Sequence, residues 1–281
     1  MRFRPNIVWT PQCVPEFVES FSPSWKKPSE FVQHISEIAD RDGVEFHQSG
    51  SAKELLKRVH DQNYVDKVLS GYAKNGFGTY DPAVAESCTY TCGAMVEGVL
   101  RAREGYTSCA PVSGFHHAGY DYGGNFCTFN GLALAAVIAK DFGMKPGIVD
   151  FDAHYGDGTV SVFSALGIED IPHYTFGGTG FATVEEGVGD RFIKCLPGIM
   201  DRVFSNCGIL LYQAGADPHV DDPLGGFLTT EQMKARDDIV FAFAKDKKIP
   251  VVWCLAGGYQ RDLKKVLALH EQTYNSWLAH L

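Results

Sequence analysis

The sequence predicts an α/β fold in which a parallel sheet is flanked by helices on both faces. Short apolar runs rich in β-branched and aromatic residues alternate along the chain with longer segments of helical spacing, which is the pattern of parallel strands joined by crossover helices. Several runs end in acidic residues or glycines, as strands do when they deliver polar side chains to one edge of a sheet. With 281 residues and no linker-like segment, we expect residues 1–281 to form a single domain.

The N-terminal elements follow from local composition. Residues 6–10 (NIVWT) predict a first strand, and the four prolines of the segment 11–29 predict a surface loop whose lysines are solvated. Helical spacing predicts a helix over residues 31–40, followed by extended structure at residues 43–46. Ser51, an N-cap residue with a glutamate three positions later, predicts the start of two helices.

The remaining elements are predicted by the same periodicities. Helical spacing recurs four times before a terminal helix, and four apolar runs read as strands. The helices are expected at residues 87–103, 130–140, 158–166 and 230–245, and the strands at 147–151, 171–176, 208–213 and 250–255. The glycine-rich stretch that begins at Gly177 predicts a long loop before the strand at residue 208.

Composition limits the partners and the compartment. The net charge is −9 and the basic residues are scattered, so direct binding to nucleic acid is not expected, whereas a cationic substrate would be attracted. The eight cysteines include no CxxC pair and lie in apolar contexts, which predicts reduced thiols and a cytoplasmic location. No segment approaches the ~18 apolar residues of a membrane helix, so we expect no membrane association. The oligomeric state is left open.

The stretch Gly147–Gly158 (GIVDFDAHYGDG) concentrates the polar residues of a strand end. Residues two apart on a strand point to the same side, so Asp150, Asp152 and His154 are predicted to project together. Two carboxylates and an imidazole at such a place call for a cation among them, and a divalent metal is the simplest candidate. Alternatively, Asp152 and His154 form a hydrogen-bonded structural pair, or Asp150 caps the next element.

Other polar residues are predicted to reach the same edge of the sheet. The adjacent His116 and His117 lie in a glycine-flanked loop after an apolar segment, where α/β proteins place their chemistry. Asp217 follows the apolar run that ends at residue 213, and Tyr259 follows paired glycines after the last strand. The two histidines and Asp217 are candidates for one common site with Asp150, Asp152 and His154.

The motifs FHHA, GNFCTFNG, VDFDAHYGDGT, GADPHVDDPLGG and LAGGY stand in the order seen in the histone deacetylase superfamily, which this chain resembles from about residue 50 onward. That superfamily includes acetylpolyamine amidohydrolases and acetoin-utilisation-like proteins. The N-terminal fifty residues match less well, because Ser24–Pro28 (SWKKP) stands where the family has His-Pro-Glu-Arg-Pro. The resemblance implies a single-domain arginase/deacetylase-like fold and a zinc-dependent deacetylase.

By resemblance, Asp152, His154 and Asp217 are the metal ligands. Three protein ligands leave coordination positions open for water and substrate, as catalytic zinc requires. The implied metal is Zn²⁺, with Fe²⁺ as an alternative. The family also binds a structural potassium ion through the backbone of the same strand end, which implies K⁺ near Asp150.

The resemblance assigns the remaining catalytic roles. His116 and His117 match the tandem histidines, with Asp150 and Asp157 as their carboxylate partners. His117 is expected to act as general base towards water and then as general acid towards the leaving amine, while His116 gives electrostatic support. Tyr259 is expected to donate to the substrate carbonyl oxygen.

Substrate contacts are predicted at four positions. Phe126 and Phe176 resemble the aromatic walls of the family's acyl-lysine tunnel, and Asp81, a loop carboxylate, is a candidate for holding a substrate backbone. Leu224 stands where polyamine-selective relatives tend to carry an acidic residue. We therefore expect acetyl-lysine proteins, peptides or small acylated amines as substrates, in preference to acetylated polyamines.

Three alternatives stay open. The chain could be an acetylpolyamine or other small-molecule amidohydrolase. It could be an arginase-like ureohydrolase, because Asp152-Ala153-His154 and Asp157 partly match the motif of that class. A two-manganese site, however, needs a second acid beside Asp217. The third alternative, a non-catalytic acyl-lysine binding protein, is not favoured because both histidines and Tyr259 are present.

Overall fold

The computed structural model describes residues 3–281 and contains one sheet of seven strands, all parallel. The strands are β1 (Arg4–Val8), β2 (Glu45–His47), β3 (Tyr106–Ala110), β4 (Pro146–Asp150), β5 (His173–Thr175), β6 (Ile209–Gln213) and β7 (Val251–Cys254). Across the sheet their order is β2-β1-β3-β7-β6-β4-β5. The predicted fold class is confirmed.

Eight α-helices cover the two faces of this sheet. They are α1 (Lys27–Arg41), α2 (Gln62–Leu69), α3 (Pro82–Arg103), α4 (Gly131–Asp141), α5 (Asp157–Leu166), α6 (Val188–Phe204), α7 (Thr230–Lys247) and α8 (Leu263–Ala279). One core cluster joins α2, α3, α4 and α5 to the sheet, and a second joins α1, α6, α7 and α8 to its other face. Both faces are therefore buried, as a parallel sheet requires. Among the described residues, no helix has the length and hydrophobicity to cross a membrane.

The strand order decides where polar side chains can meet. β3, β7, β6 and β4 are consecutive neighbours, and β4 pairs with β6 along its whole length. Because all strands are parallel, the segments that follow these four strands leave the sheet at the same edge. Ligand sites of open α/β sheets lie at this carboxyl edge.

A buried arginine on α7 holds two of these strand ends together. Arg236 donates from Nη1 to the carbonyl of Phe151 at 3.1 Å and to that of Gly215 at 2.8 Å. Its charge is balanced by Asp237, which accepts from Nε at 2.8 Å and from Thr273 Oγ1 at 2.6 Å. The ends of β4 and β6 are thus fixed to the same helix.

The sequence prediction was wrong in one long segment. The stretch expected to be a loop from Gly177 to residue 207 contains the helix α6, in which Pro197 lies in the interior. The helix buries Phe192, Leu196 and Met200 against the sheet. This apolar face outweighs the local proline signal, because tertiary packing supplies most of the stability of helices in proteins.

Smaller differences occur near the N-terminus. The first of the two helices expected from Ser51 is a 3-10 helix, Lys53–Arg58, although Ser51 Oγ accepts from Lys53 N at 3.2 Å. Helix α1 begins at Lys27, four residues earlier than the expected start at residue 31, with Pro28 in its first turn. Proline favours this position, because its fixed φ suits the first turn of a helix.

The Arg236–Asp237 pair gives a test of stability. Arg236→Met is expected to lower the free energy of unfolding by roughly 3–5 kcal/mol, because it leaves the Asp237 carboxylate buried without its counter-charge. The double variant Arg236→Met/Asp237→Asn, which removes both charges, should recover part of this loss. Urea unfolding followed by circular dichroism measures both; a single variant as stable as the wild type would contradict the assigned role.

Candidate active site

The three predicted metal ligands lie together at the carboxyl edge of the sheet. Asp150 is the last residue of β4, and Asp152 and His154 follow it in a loop, while Asp217 follows β6. Asp152, His154 and Asp217 each offer one ligand atom, and these atoms lie within 4.8 Å of one another. His154 Nδ1 is 3.0 Å from Asp152 Oδ1 and 3.0 Å from Asp217 Oδ2, so this nitrogen faces both carboxylates.

The surroundings of these atoms fit a divalent cation. Asp217 Oδ1 is buried and has no hydrogen-bond partner among the described residues. A Cβ atom at Gly257 would lie 2.6 Å from both carboxylate oxygens of Asp217, and one at Gly215 would lie 2.6 Å from Oδ1, so only glycine leaves room for this carboxylate. Two carboxylates and one imidazole form a donor set that zinc accepts, and three ligands leave a position open.

The pKa values of these residues also reflect closely spaced buried charges. Burial and the negative charge of Asp152 raise the pKa of Asp217 to about 8. Hydrogen bonds to Asp152 and Asp217 raise the pKa of His154 to about 10. Burial opposes ionisation of Asp152 as well, but the positive charge of His116 and the bond from His154 hold the pKa of Asp152 well below its usual value. The two carboxylates therefore compete for the available positive charge.

The tandem histidines each hold a carboxylate with the same ring nitrogen. His116 donates from Nδ1 to Asp150 Oδ2 at 2.7 Å, and His117 donates from Nδ1 to Asp157 Oδ1 at 2.6 Å. The two imidazole centroids are 4.1 Å apart, and that of His117 is 5.9 Å from the His154 ring. Because the carboxylates take both Nδ1 atoms, the Nε2 atom of each ring is the one left for other partners.

Different surroundings give the two histidines different charge states. Burial disfavours the charged form of His116, yet Asp150 and Asp152 raise its pKa to about 9. Burial and the positive charge of His116 lower the pKa of His117. At neutral pH, His116 is therefore charged and His117 is neutral, so His117 can accept a proton.

A third histidine, not found from the sequence, lies against Asp150. The side chain of His173 on β5 is 7% exposed, and its Nε2 lies 3.8 Å from Asp150 Oδ2 without a hydrogen-bond partner in the described chain. Gly156 makes room for this approach, because a Cβ there would lie 2.7 Å from Asp150 Oδ2 and 3.1 Å from the His173 ring. A single histidine in a three-residue strand gives no sequence signal of such a contact.

The turn that carries Tyr259 is fixed by two of the site's acids. The backbone N–H of Gly257 donates to Asp152 Oδ2 at 3.0 Å, and that of Tyr259 donates to Asp222 Oδ2 at 2.7 Å. Ala256 has a φ of 55°, which is uncommon for a residue other than glycine. The turn is therefore held in one conformation by the carboxylates beside it.

The ring of Tyr259 lies beside the candidate metal centre. Its ring centroid lies 6.5 Å from that of His154. Burial, and after it the charges of Asp152 and Asp217, hold the pKa of Tyr259 well above its usual value. The hydroxyl is therefore protonated at neutral pH and can donate a hydrogen bond.

Lys27 corrects the expectation that the lysines of the N-terminal loop are solvated. It is fully buried, and its Nζ donates to the carbonyl oxygens of Ala256 and, at 3.1 Å, Gly257. Burial lowers its pKa to about 8, although Asp217 and neighbouring carboxylates oppose this shift. The one sequence signal is its place in Ser24–Pro28, where Lys27 stands in the position of the arginine in the family's motif.

Phe126 lies beside the site, as expected for a tunnel wall. Its ring is 5.7 Å from Tyr259, 5.9 Å from Phe77 and 5.4 Å from Phe21. Its φ of 68° is unusual for an aromatic residue, so the surrounding loop imposes this conformation. Phe77 and Phe21 were not singled out from the sequence.

The other predicted substrate contacts are not brought together. Phe176 is 1% exposed and packs against Phe192 at 4.8 Å in the core, so the expectation that it lines a tunnel is wrong. Asp81 is exposed and caps α3, accepting from Ala83 N at 2.9 Å. Leu224 is 42% exposed and lines a cavity together with Tyr259.

Comparison with known proteins identifies relatives whose similarity covers most of this chain. The family model described as histone deacetylase domain matches residues 26–169 and 182–273, which include the three candidate ligands, both tandem histidines and Tyr259. Among curated proteins, an uncharacterized protein of Picosynechococcus sp. is 26% identical over 249 residues, covering 80% of each chain. Histone deacetylase 2 of Arabidopsis thaliana is 24% identical over 276 residues, covering 88% of this chain and 71% of its own.

Two further comparisons agree with this family match. Acetoin utilization protein AcuC of Bacillus subtilis is 27% identical over 215 residues, covering 62% of this chain and 55% of its own. The solved structure of the HDA15 HD domain has a TM-score of 0.79 at 21% identity, covering 99% of this chain and 88% of that one. This likeness supports the fold.

The contact of Lys27 with the tyrosine turn can be tested by removing its charge and hydrogen bonds. Lys27→Met is expected to lower the free energy of unfolding by about 1–3 kcal/mol, because the Ala256 carbonyl loses its buried donor. Faster amide exchange in residues 256–259 should accompany the loss. Lys27→Arg keeps hydrogen-bond donors and the positive charge. It should therefore lose less stability and show slower amide exchange in residues 256–259 than Lys27→Met. Exchange in this turn that is unchanged in the methionine variant would contradict the assignment.

Proposed function

The chain belongs to the histone deacetylase family, and on that premise we propose that it is a zinc-dependent amide hydrolase that removes acetyl or related acyl groups from lysine-like amines. The observation that carries the proposal is the meeting of Asp152, His154 and Asp217 beside a neutral histidine and a protonated tyrosine. Fe²⁺ is the alternative metal. A structural K⁺ near the end of β4 remains a prediction from family resemblance.

Asp152, His154 and Asp217 would hold the catalytic cation. When bound there, the cation supplies Lewis acidity, which polarises a carbonyl and acidifies water. The orphaned Oδ1 of Asp217 and the glycines that enclose its carboxylate favour this use of the three residues over a purely structural hydrogen-bonded pair.

His117 is the proposed general base. Asp157 holds its Nδ1 at 2.6 Å, which fixes the ring and leaves Nε2 as the atom that accepts a proton from water. The same nitrogen then returns the proton to the departing amine. His116 keeps a positive charge through its bond to Asp150, and that charge lowers the pKa of His117. His116 thus helps to keep the base neutral.

Tyr259 is the proposed donor to the oxygen that gains negative charge when the amide is attacked. Its hydroxyl is neutral at neutral pH, and the backbone bonds to Asp152 and Asp222 hold the turn in place. A donor positioned before the reaction stabilises the developing oxyanion without paying for reorganisation.

The substrate proposed is an acetyl-lysine-like amide. Phe126 offers an apolar surface beside Tyr259 for an uncharged methylene stem, and Leu224 adds an apolar contact where a carboxylate would favour a second ammonium group. The net charge of −9 keeps acetylated polyamines as a second candidate class. A panel of acetyl-lysine peptides, N-acetylated spermidine and putrescine, and neutral amides, compared by kcat/KM, separates the two.

The metal content tests the ligand set. We expect one divalent ion per chain in the wild type and no bound ion or turnover in Asp217→Ala, because the cation loses one of its three protein ligands. The matched control is Asp221→Ala, which removes an exposed acid of the same loop and should keep metal and activity. Elemental analysis with a turnover assay decides this. Two tightly bound manganese ions per chain would instead support a ureohydrolase.

The role of Tyr259 is tested by removing its hydroxyl. Tyr259→Phe should keep the fold and the metal while lowering kcat by on the order of 10²-fold or more, as expected for the loss of one oxyanion donor. Tyr155→Phe, which changes an exposed tyrosine of the loop after His154, is the control and should be active. Unchanged kinetics in Tyr259→Phe would show that this tyrosine only packs, and would reopen the possibility of a binding protein.

A further inference from the structure

A cavity of about 800 Å³ lies beside the candidate active site and has no role in the proposed chemistry. It is enclosed by the segment of residues 17–26 on one side and by the turns that carry Leu224 and Tyr259 on the other. Tyr259 lies in its wall, so the cavity borders the candidate active site. Small-molecule sites typically occupy roughly 300–1,000 Å³, far more than an acetyl group needs. The cavity is therefore large enough for a part of the substrate beyond the acyl group.

Part of the wall is apolar and exposed. Phe17 is 66% exposed and Phe21 80%, and Leu224 adds a third exposed apolar side chain. Phe21 contacts Phe126, which contacts Tyr259, so an aromatic surface runs from this cavity to the candidate catalytic residue. Exposed apolar surfaces of this kind mark binding sites on otherwise polar proteins.

The wall also carries two basic residues that form no salt bridge within the described chain. Lys26 and Arg261 both line it, and neither lies within 4.0 Å of a carboxylate among residues 3–281. Lys265, which lies outside the lining, is instead paired with Asp221 at 3.6 Å. Glu19 is the single acid among the described lining residues. On a chain with a net charge of −9, this is a local surplus of positive charge that attracts a carboxylate and repels an ammonium group.

We propose that this cavity binds the peptide next to the acylated lysine and selects peptides that place an acidic side chain beside an apolar one. This inference rests on the proposed hydrolase function. The apolar side chain contacts Phe17 and Phe21, and the carboxylate lies near Lys26 and Arg261. A polyamine, whose remaining nitrogens are cationic, meets repulsion at the same place.

Charge reversal in both partners provides the experiment. Three blocked acetyl-lysine peptides of equal length carry Leu on both sides of the acetyl-lysine and then Glu, Gln or Lys as the outer neighbours. A blocked acetyl-lysine amide, too short to reach the cavity, is the reference substrate. The metal-loaded wild type is compared with Lys26→Glu/Arg261→Glu and with Lys145→Glu/Lys194→Glu. The last pair reverses two exposed charges that lie outside the cavity.

The expected wild-type kcat/KM falls from the Glu to the Gln to the Lys peptide, by roughly tenfold across the series. Lys26→Glu/Arg261→Glu should reverse this order and leave kcat/KM for the short amide unchanged. Lys145→Glu/Lys194→Glu should keep the wild-type order of the three peptides. Equal kcat/KM for the three peptides, or an order that survives the reversal at Lys26 and Arg261, overturns the inference.

Binding separates this inference from the proposed function. Fluorescence anisotropy with labelled versions of the same peptides reports Kd without any turnover. If no substrate is hydrolysed, the proposed function fails, and the order of the Kd values still decides the role of the cavity. The same order of Kd values supports the cavity as a peptide site, and equal values overturn it.

Discussion

Two buried carboxylates at one edge of a parallel sheet are the constraint on which the rest of this structure depends. Asp152 and Asp217 are both shielded from water and lie side by side, and the negative charge of Asp152 adds to the effect of burial in raising the pKa of Asp217. Positively charged side chains from three separate elements lie near these carboxylates. They are His116 from the loop after β3, Lys27 from α1 and Arg236 from α7. Even so, burial and the charge of Asp152 raise the pKa of Asp217 to about 8.

The same positive groups also order the backbone. Lys27 donates to the carbonyls of the turn before Tyr259, and Arg236 donates to the carbonyls at the ends of β4 and β6. Each cation thus neutralises charge and fixes the segment that carries a functional side chain. Because one interaction serves both purposes, the geometry of the site and its electrostatics cannot be changed independently.

Residues that follow strands could be predicted from the sequence, because the signal for them is local. Alternation along β4, the polar ends of two apolar runs and a glycine-flanked loop predict that Asp152, His154, Asp217 and the tandem histidines lie at one edge, and the family motifs assign their roles. Tyr259 follows paired glycines, which marks a turn. In a parallel sheet, residues that follow neighbouring strands lie close together, because the carboxyl ends of all strands are at the same edge.

Residues whose role depends on distant contacts could not be predicted in this way. Phe176 resembles a tunnel wall in its motif, but it is buried against Phe192 of α6, a helix in a segment where the glycines from Gly177 onward predict a loop. His173 meets Asp150 only through the pairing of β5 with β4. Lys27 was read as a surface residue, because charged side chains are rarely buried unless they are paired, and its carbonyl partners lie more than two hundred residues away.

Most of the segment of residues 17–26 lies outside the region that matches the family model, unlike the candidate catalytic residues. The family match begins at residue 26, so the candidate ligands and catalytic residues lie inside it, whereas Phe17 and Phe21 of the cavity wall lie outside. The proposed reaction would depend on residues that follow strands of the sheet, while one wall of the cavity is formed by the segment of residues 17–26. Loops on a fixed scaffold can change their side chains at little cost to the core. We therefore expect substrate preference to vary with residues 17–26 while the chemistry stays with the sheet.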